Sequence, residues 1–205
     1  MNDSVAMSWL LVLGISLANN LDNTGVGIAY GIARIRLPQL VNLWIAVITF
    51  AITASSVAFG SGISRYLAPE IAKYIGATIL CVIGLTVLAP ILKRSKSRRD
   101  AAANPVRRIL EDPMTADRDD SRHIDYKEGS LLGIALSINN IGGGLSAGLV
   151  HLSVFWTALL SAILSFLVLW LGGIAGRRVA TGRLADYATI LSGVLLISIG
   201  LYQLR

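Results

Sequence analysis

Asn19-Asn20-Leu21-Asp22-Asn23-Thr24-Gly25-Val26-Gly27-Ile28-Ala29-Tyr30-Gly31 is the stretch that decides how this chain is read. It forms the second half of an apolar run over 5–32. That run is long enough to cross a bilayer, which takes about 20 mostly apolar residues. Yet it holds a carboxylate, Asp22, among the carboxamides Asn19, Asn20 and Asn23. A charge at mid-membrane is costly, so an ionisable side chain inside a span marks a functional site by default. Apart from Asp186, at the start of the last apolar run, Asp22 is the only acidic residue in any apolar run of the chain.

Working outward, the composition sets the class. Hydrophobic residues make up 54% and charged residues 15% of the 205 positions, which reads as an integral membrane protein rather than a soluble domain. The net charge of +6 does not point to nucleic acid, because the basic residues gather beside apolar spans. The single cysteine, Cys81, excludes an intramolecular disulfide and reads as a small buried hydrophobe. The start Met1-Asn2-Asp3-Ser4 lacks the basic region of a signal peptide, so the first apolar run is expected to be a retained helix.

Apolar length predicts six spans over 5–32, 40–63, 71–92, 129–149, 154–176 and 184–204. Of the eighteen Lys and Arg residues, fifteen fall in the connections 1–2, 3–4 and 5–6, against Arg65, Lys73 and Arg205 on the other side. The positive-inside rule then places those connections in the cytoplasm and both termini outside, in a bacterial inner membrane. Trp9, Trp44, Trp156, Tyr66, Tyr74 and Tyr202 stand near span ends, as interfacial anchors do. Segment 93–128 carries ten basic and eight acidic residues and reads as a solvated, largely disordered linker. Within it, Asn104 and Pro105 begin a short amphipathic stretch suited to an anionic leaflet. Asp117, Asp119, Asp120, His123 and Asp125 have no recognisable ligand spacing and read as part of the charge run.

The chain repeats itself. Shifted by 117 positions, Asn23 falls on Asn140, Gly25 on Gly142, Gly27 on Gly144, Gly31 on Gly148, and Asp22 on the isosteric Asn139. Further along, Trp44 matches Trp156, Thr49 matches Ser161 and Thr53 matches Ser165. Three spans per unit force opposite orientations, so the fold expected is all-α: two inverted three-helix repeats, 1–92 and 129–205, joined by 93–128. Carriers of that design hold their sites near the midplane. Gly27-x-x-x-Gly31 and Gly144-x-x-x-Gly148 predict a close approach of spans 1 and 4. Gly25, Gly142 and Gly143 are expected to unwind the spans locally and free carbonyls for a cation. Asn19, Asp22 and Asn23 share one helical face, with Asn139 and Asn140 facing them as cation ligands. Thr49, Thr53, Ser161 and Ser165 form hydroxyl stripes that either line the site or join helices.

The pattern Leu21-Asp22-Asn23-x-Gly25-Val26-Gly27-x-x-Tyr30-Gly31, followed by Arg34-Ile35-Arg36-Leu37-Pro38, resembles sporulation membrane proteins of the YtaF type. It is similar, more distantly, to the MntP-type manganese exporters of the lysine-exporter superfamily. The resemblance implies a six-helix carrier exporting Mn²⁺, with an aspartate in span 1 matching Asp22 and a second falling on Asn139. That second position is a departure, which removes one negative charge from the metal site. Oxygen ligands of this kind still suit hard divalent cations. The expected activity is secondary transport of a divalent cation coupled to protons, with no enzyme chemistry and no tightly bound cofactor. No Gly-rich phosphate loop is present. The expected partners are the bilayer, the cation and protons, with a homo-oligomer as a further option. Two alternatives stay open: the same fold carrying a monovalent or organic cation, and a non-transporting protein of envelope or sporulation assembly.

Overall fold

In the computed structural model, the described residues are 3–21, 23–92, 113–178 and, near the C-terminus, 190, 194, 197–199 and 201–202. Asp22, the Asn104–Leu110 stretch and most of the sixth expected span lie outside them. The described elements are α1 (Asp3–Leu21), α2 (Thr24–Ala33), α3 (Gln39–Ser64), α4 (Pro69–Leu92), a 3₁₀ turn (Pro113–Ala116), α5 (Tyr126–Leu136), α6 (Ile138–Leu149) and α7 (Val154–Arg178). No strand occurs among the described residues; the one β-type contact is an isolated bridge between Arg36 and His123. Helices α3 and α7 are each long and apolar enough to cross a membrane, and α5 with α6 makes a third span if that pair, bent by 46°, counts as one.

Local sequence explains the boundaries. Helix α2 stops at Arg34, which takes a left-handed conformation (φ 58°) and donates its backbone N–H to Gly31 O. Pro38, with φ −61° and ψ 144°, then starts α3, because proline fits a helix entry and cannot continue one. Asp125 and Glu128 open α5 with a reciprocal capping box: Glu128 N donates to Asp125 Oδ1 (2.7 Å) and Asp125 N to Glu128 Oε2 (3.2 Å).

The long helices cross between the two halves of the sequence. Helix α2 packs along α7 as α6 packs along α3, and α1 lies on α7 as α5 lies on α3. Helices α3 and α7 run antiparallel at the centre: Asn42 donates to Phe166 O, while Phe50 meets Phe155 ring to ring. Glycines make the close crossings. A Cβ on Gly27 would stand 2.9 Å from Leu169 O and 3.1 Å from Gly172 Cα, and one on Gly31 would overlap Gly173 O. Gly148 meets the α3 backbone at Val57 and Gly60 in the same way, and Gly144 meets Ser56 and Thr53.

Three expectations need correction. Gly27 and Gly31 face α7, and Gly144 and Gly148 face α3, so these small-residue faces do not pair spans 1 and 4 with each other. Small residues announce a close crossing but not the partner. Second, Gly142 and Gly143 do not unwind the chain: with Gly25 they lie inside α6 and α2, and no described glycine has a positive φ. Described turn residues stand just before them, Asn23 ahead of α2 and Ser137 ahead of α6, where short polar side chains compete with helical hydrogen bonding. Third, 113–128 is folded. Arg36 N donates to Arg122 O (2.8 Å) and Ile124 N to Arg36 O (3.0 Å), and Ala116 and Ile124 are fully buried.

Two apolar clusters result. One joins Val26, Tyr30, Val41, Ile45, Ala116, Ile124, Leu132 and Leu169. The other joins Val12, Ile15, Val57, Leu80, Ala147 and Leu152. Each of α3 and α7 runs from one cluster to the other, and between them stands a set of buried polar side chains.

Candidate functional site

Along α3 the order is Val41 and Ile45 in one cluster, then Thr49 and Thr53, then Val57 in the other. Along α7 it is Thr157, Ser161 and Ser165, then Leu169. Helix α1 contributes Ser16, Asn19 and Asn20, the break before α2 contributes Asn23, and the α5–α6 break contributes Ser137 and Asn140. All of these side chains are buried. A polar layer therefore crosses the helical body, closed by apolar packing on both sides.

Half of this layer is internally satisfied. The Thr49 hydroxyl lies 3.1 Å from that of Ser137 and 3.3 Å from that of Ser165, and it also donates to Ile45 O. Ser16 donates to Thr157 O (3.3 Å), and Asn20 Nδ2 to Ser16 O (2.9 Å). The other half is not satisfied. Among the described residues, both amide atoms of Asn19 and of Asn140, and the hydroxyls of Thr53 and Ser161, have no hydrogen-bond partner. Thr53 follows Thr49 by one turn and Ser161 precedes Ser165 by one turn, so the antiparallel register of α3 and α7 makes them the next pair along the crossing.

A buried polar atom without a partner costs about 1–3 kcal/mol. Such groups concentrated in one layer are suited to water or a bound ion. Oxygens of Asn19, Asn140, Thr53 and Ser161 are hard, neutral ligands, the type that Mg²⁺, Ca²⁺ and Mn²⁺ accept. Neutral ligands alone do not offset a divalent charge, and the anionic candidate is Asp22, which precedes Asn23 in sequence and lies outside the described residues.

Of the expected ligands, Asn19 and Asn140 stand in the layer, and Asn23 sits at the N-cap of α2. Asn19 lies directly against Gly143, which is where α1 and α6 meet. Asn139 is half-buried in the first turn of α6. Gly142 packs on Ile83 of α4. The centre of the layer is the α3–α7 crossing, with α1 and α6 flanking it, rather than an interface of spans 1 and 4 alone. Sequence reasoning omitted Ser16, Ser137 and Thr157 and left Asn20 out of the ligand set. Their signal was a polar residue within an apolar run, weak for a lone serine.

The acidic loop is a separate feature. Asp117, Asp119 and Glu128 each place a carboxylate oxygen within 4.8 Å of the others, and Asp117 and Glu128 are buried. Their oxygens are occupied by backbone N–H groups: Ser121 and Arg122 donate to Asp117, Ser121 to Asp119, and Arg118 to Glu128 (2.6 Å). Hydrogen bonding by Ser121, side chain first and backbone second, holds the exposed Asp119 carboxyl below its ordinary range. The trio thus shapes a turn. His123 is in the bridge to Arg36 and Asp125 caps α5, so the acidic loop is ordered, while Asp119, Asp120, His123 and Asp125 stay exposed to solvent as a charge run does.

The family model described as "Putative manganese efflux pump" matches residues 1–88 and 107–204. Among curated proteins, the chain is 31% identical to the "Probable sporulation protein YtaF" of Bacillus subtilis (strain 168), over 97% of this chain and 100% of that protein. It is 24% identical to the "Putative manganese efflux pump MntP" of Bacillus thuringiensis (strain Al Hakam), over 95% and 94% of the two chains. It is 26% identical to the protein of that name from Clostridium perfringens (strain 13 / Type A), over 94% and 91%. No solved structure matches the chain. The match spans both groups of helices and the polar layer between the apolar clusters, and the chain belongs to the MntP family, a family of membrane transporters rather than enzymes.

Proposed function

We propose that this protein is a secondary carrier that exports a divalent cation, Mn²⁺ first, through the polar layer between the two apolar clusters. The observation that carries this reading is the set of fully buried, unpartnered ligands: Asn19, Asn140, Thr53 and Ser161. Four helices supply them, so relative movement of those helices assembles or dismantles the site. Asp22 supplies the negative charge, and its carboxylate takes either the cation or a proton, which couples the two fluxes. Asn139 lies at the position equivalent to Asp22 in the second half and leaves the site with one formal charge.

The reciprocal crossing of α2 on α7 and α6 on α3 supports two inverted three-helix units, 1–92 and 129–205. In this arrangement both termini face outside and 93–128 faces the cytoplasm. The two apolar clusters act as the closed gates on either side of the layer, and opening one at a time gives alternating access.

The sporulation protein, 31% identical against 24–26% for the manganese pumps cited, favours a second reading, in which the chain serves envelope assembly and moves no ion. Purified protein in vesicles separates them. Uptake into inside-out vesicles is measured with Mn²⁺, Mg²⁺, Ca²⁺, Na⁺ and K⁺. Mn²⁺ uptake above protein-free vesicles supports the carrier; movement of Na⁺ or K⁺ alone assigns the single-charge site to a monovalent cargo; no flux of any cation favours the assembly role.

A further inference from the structure

A second concavity lies away from the polar layer, where α2 and α7 end side by side. It measures about 490 Å³ and is lined by Gly31, Ile32, Arg34, Arg36, Gly176, Arg177 and Arg178. Two stretches far apart in sequence thus bring four arginines to the lining of one cleft. Its floor is the glycine crossing, where Gly31 meets the backbone of Gly173 and Arg177 and Gly176 meets that of Ile28. Among the described residues, no carboxylate lines the cleft and none of the four arginine side chains is paired with an acid.

Two bland accounts are available, and their magnitudes decide against them. Arginines at helix C-termini offset the macrodipole, but each terminus carries only about −0.5 of a charge. Two termini account for roughly one of the four positive charges. Basic residues also mark a cytoplasmic membrane face in general, yet that rule asks for charge near the surface and not for convergence on a single cavity. A surplus of guanidinium in a concave site fits a phosphate, which arginine grips through two parallel N–H groups. The neighbouring surface selects the source. Ile32 lines the cleft and is exposed, and on α7 Trp170 and Leu171 are exposed below it, which is a surface for acyl chains rather than for water.

We propose that this cleft binds the phosphate of an anionic phospholipid headgroup, with Arg34 and Arg36 on one wall and Arg177 and Arg178 on the other. Basic pockets between helices at the membrane surface take such headgroups. The site is independent of what the carrier moves.

The test is native mass spectrometry of protein released from nanodiscs of equal phosphatidylglycerol and phosphatidylcholine content. Wild-type protein should retain phosphatidylglycerol in preference. The variant R36Q/R177Q should retain roughly tenfold less, as expected for loss of charge-assisted contacts, whereas R65Q, at the far end of α3, should match wild type. The single variants R36Q and R177Q, each checked for folding by size exclusion, should fall between. Equal retention of both lipids by wild type, or equal loss in R65Q and R36Q/R177Q, would overturn the proposal. Displacement of the lipid by millimolar inorganic phosphate would overturn the lipid assignment in favour of a soluble anion.

Discussion

The Thr49 hydroxyl lies 3.3 Å from that of Ser165, tying α3 to α7, while one turn further along the same crossing Thr53 and Ser161 are equally buried and unpartnered. Similar residues on one helix pair therefore stand in two different states. Thr49→Val should lower stability by about 1–2 kcal/mol, because it leaves Ser137 and Ser165 without their partner. Thr53→Val removes a hydroxyl that bonds nothing among the described residues, so thermal stability should hold or rise. If Thr53 is a cation ligand, its valine variant should still lose most transport. Thermal scans in detergent beside vesicle flux check both, and an active Thr53→Val variant would make this hydroxyl a bystander.

The glycine crossings predict a graded series. A methyl at Gly31 overlaps the Gly173 carbonyl, and one at Gly148 overlaps Val57 O. Alanine at either should cost about 1–3 kcal/mol or more by overpacking two backbones. Gly62 has nothing within 4 Å of the added carbon, so Gly62→Ala should be neutral or stabilise α3 by up to about 1 kcal/mol through helix propensity. Equal melting temperatures for all three variants would contradict these contacts.

Ile124 is fully buried beside Ala116 and Tyr30 in one of the apolar clusters. Ile124→Ala should cost about 2–5 kcal/mol, as large-to-small core changes do, and should expose 113–125 to protease. A solvated linker would tolerate the change, with no difference in cleavage rate.

The Lys and Arg bias of fifteen to three predicts sidedness. With Cys81 replaced, cysteine at position 2 should react with an impermeant maleimide added outside intact cells. Cysteine at 120, on an exposed turn, should react only after lysis. The opposite pattern would reverse the orientation and place the arginine cleft on the outer face.

Much of this was legible in the sequence for identifiable reasons. Helices α3 and α7 are long unbroken apolar runs, and the four-residue spacing of Thr49 with Thr53 and of Ser161 with Ser165 marked their polar stripe. Asn19 and Asn140 stood out because a carboxamide in an apolar run has few other uses. Ser137 did not, since a serine at a helix break is commonplace until its bond to Thr49 is seen. The partners of Gly27 and Gly144 were illegible because a small face fits any helix that reaches it. The packing of 113–125 was hidden because Ala116 and Ile124 are isolated among charges and their anchor, Arg36, is remote in sequence.

The central claim is that a single carboxylate, Asp22, charges the polar layer so that it can hold a cation. Asp22→Asn keeps the shape of the side chain, and the same carboxamide already occupies position 139. The decisive measurement is Mn²⁺ flux in vesicles holding equal amounts of wild-type and Asp22→Asn protein, both shown to be folded by their melting profiles. The carrier account predicts flux from wild type and none above background from the variant. Wild-type flux from Asp22→Asn would contradict it.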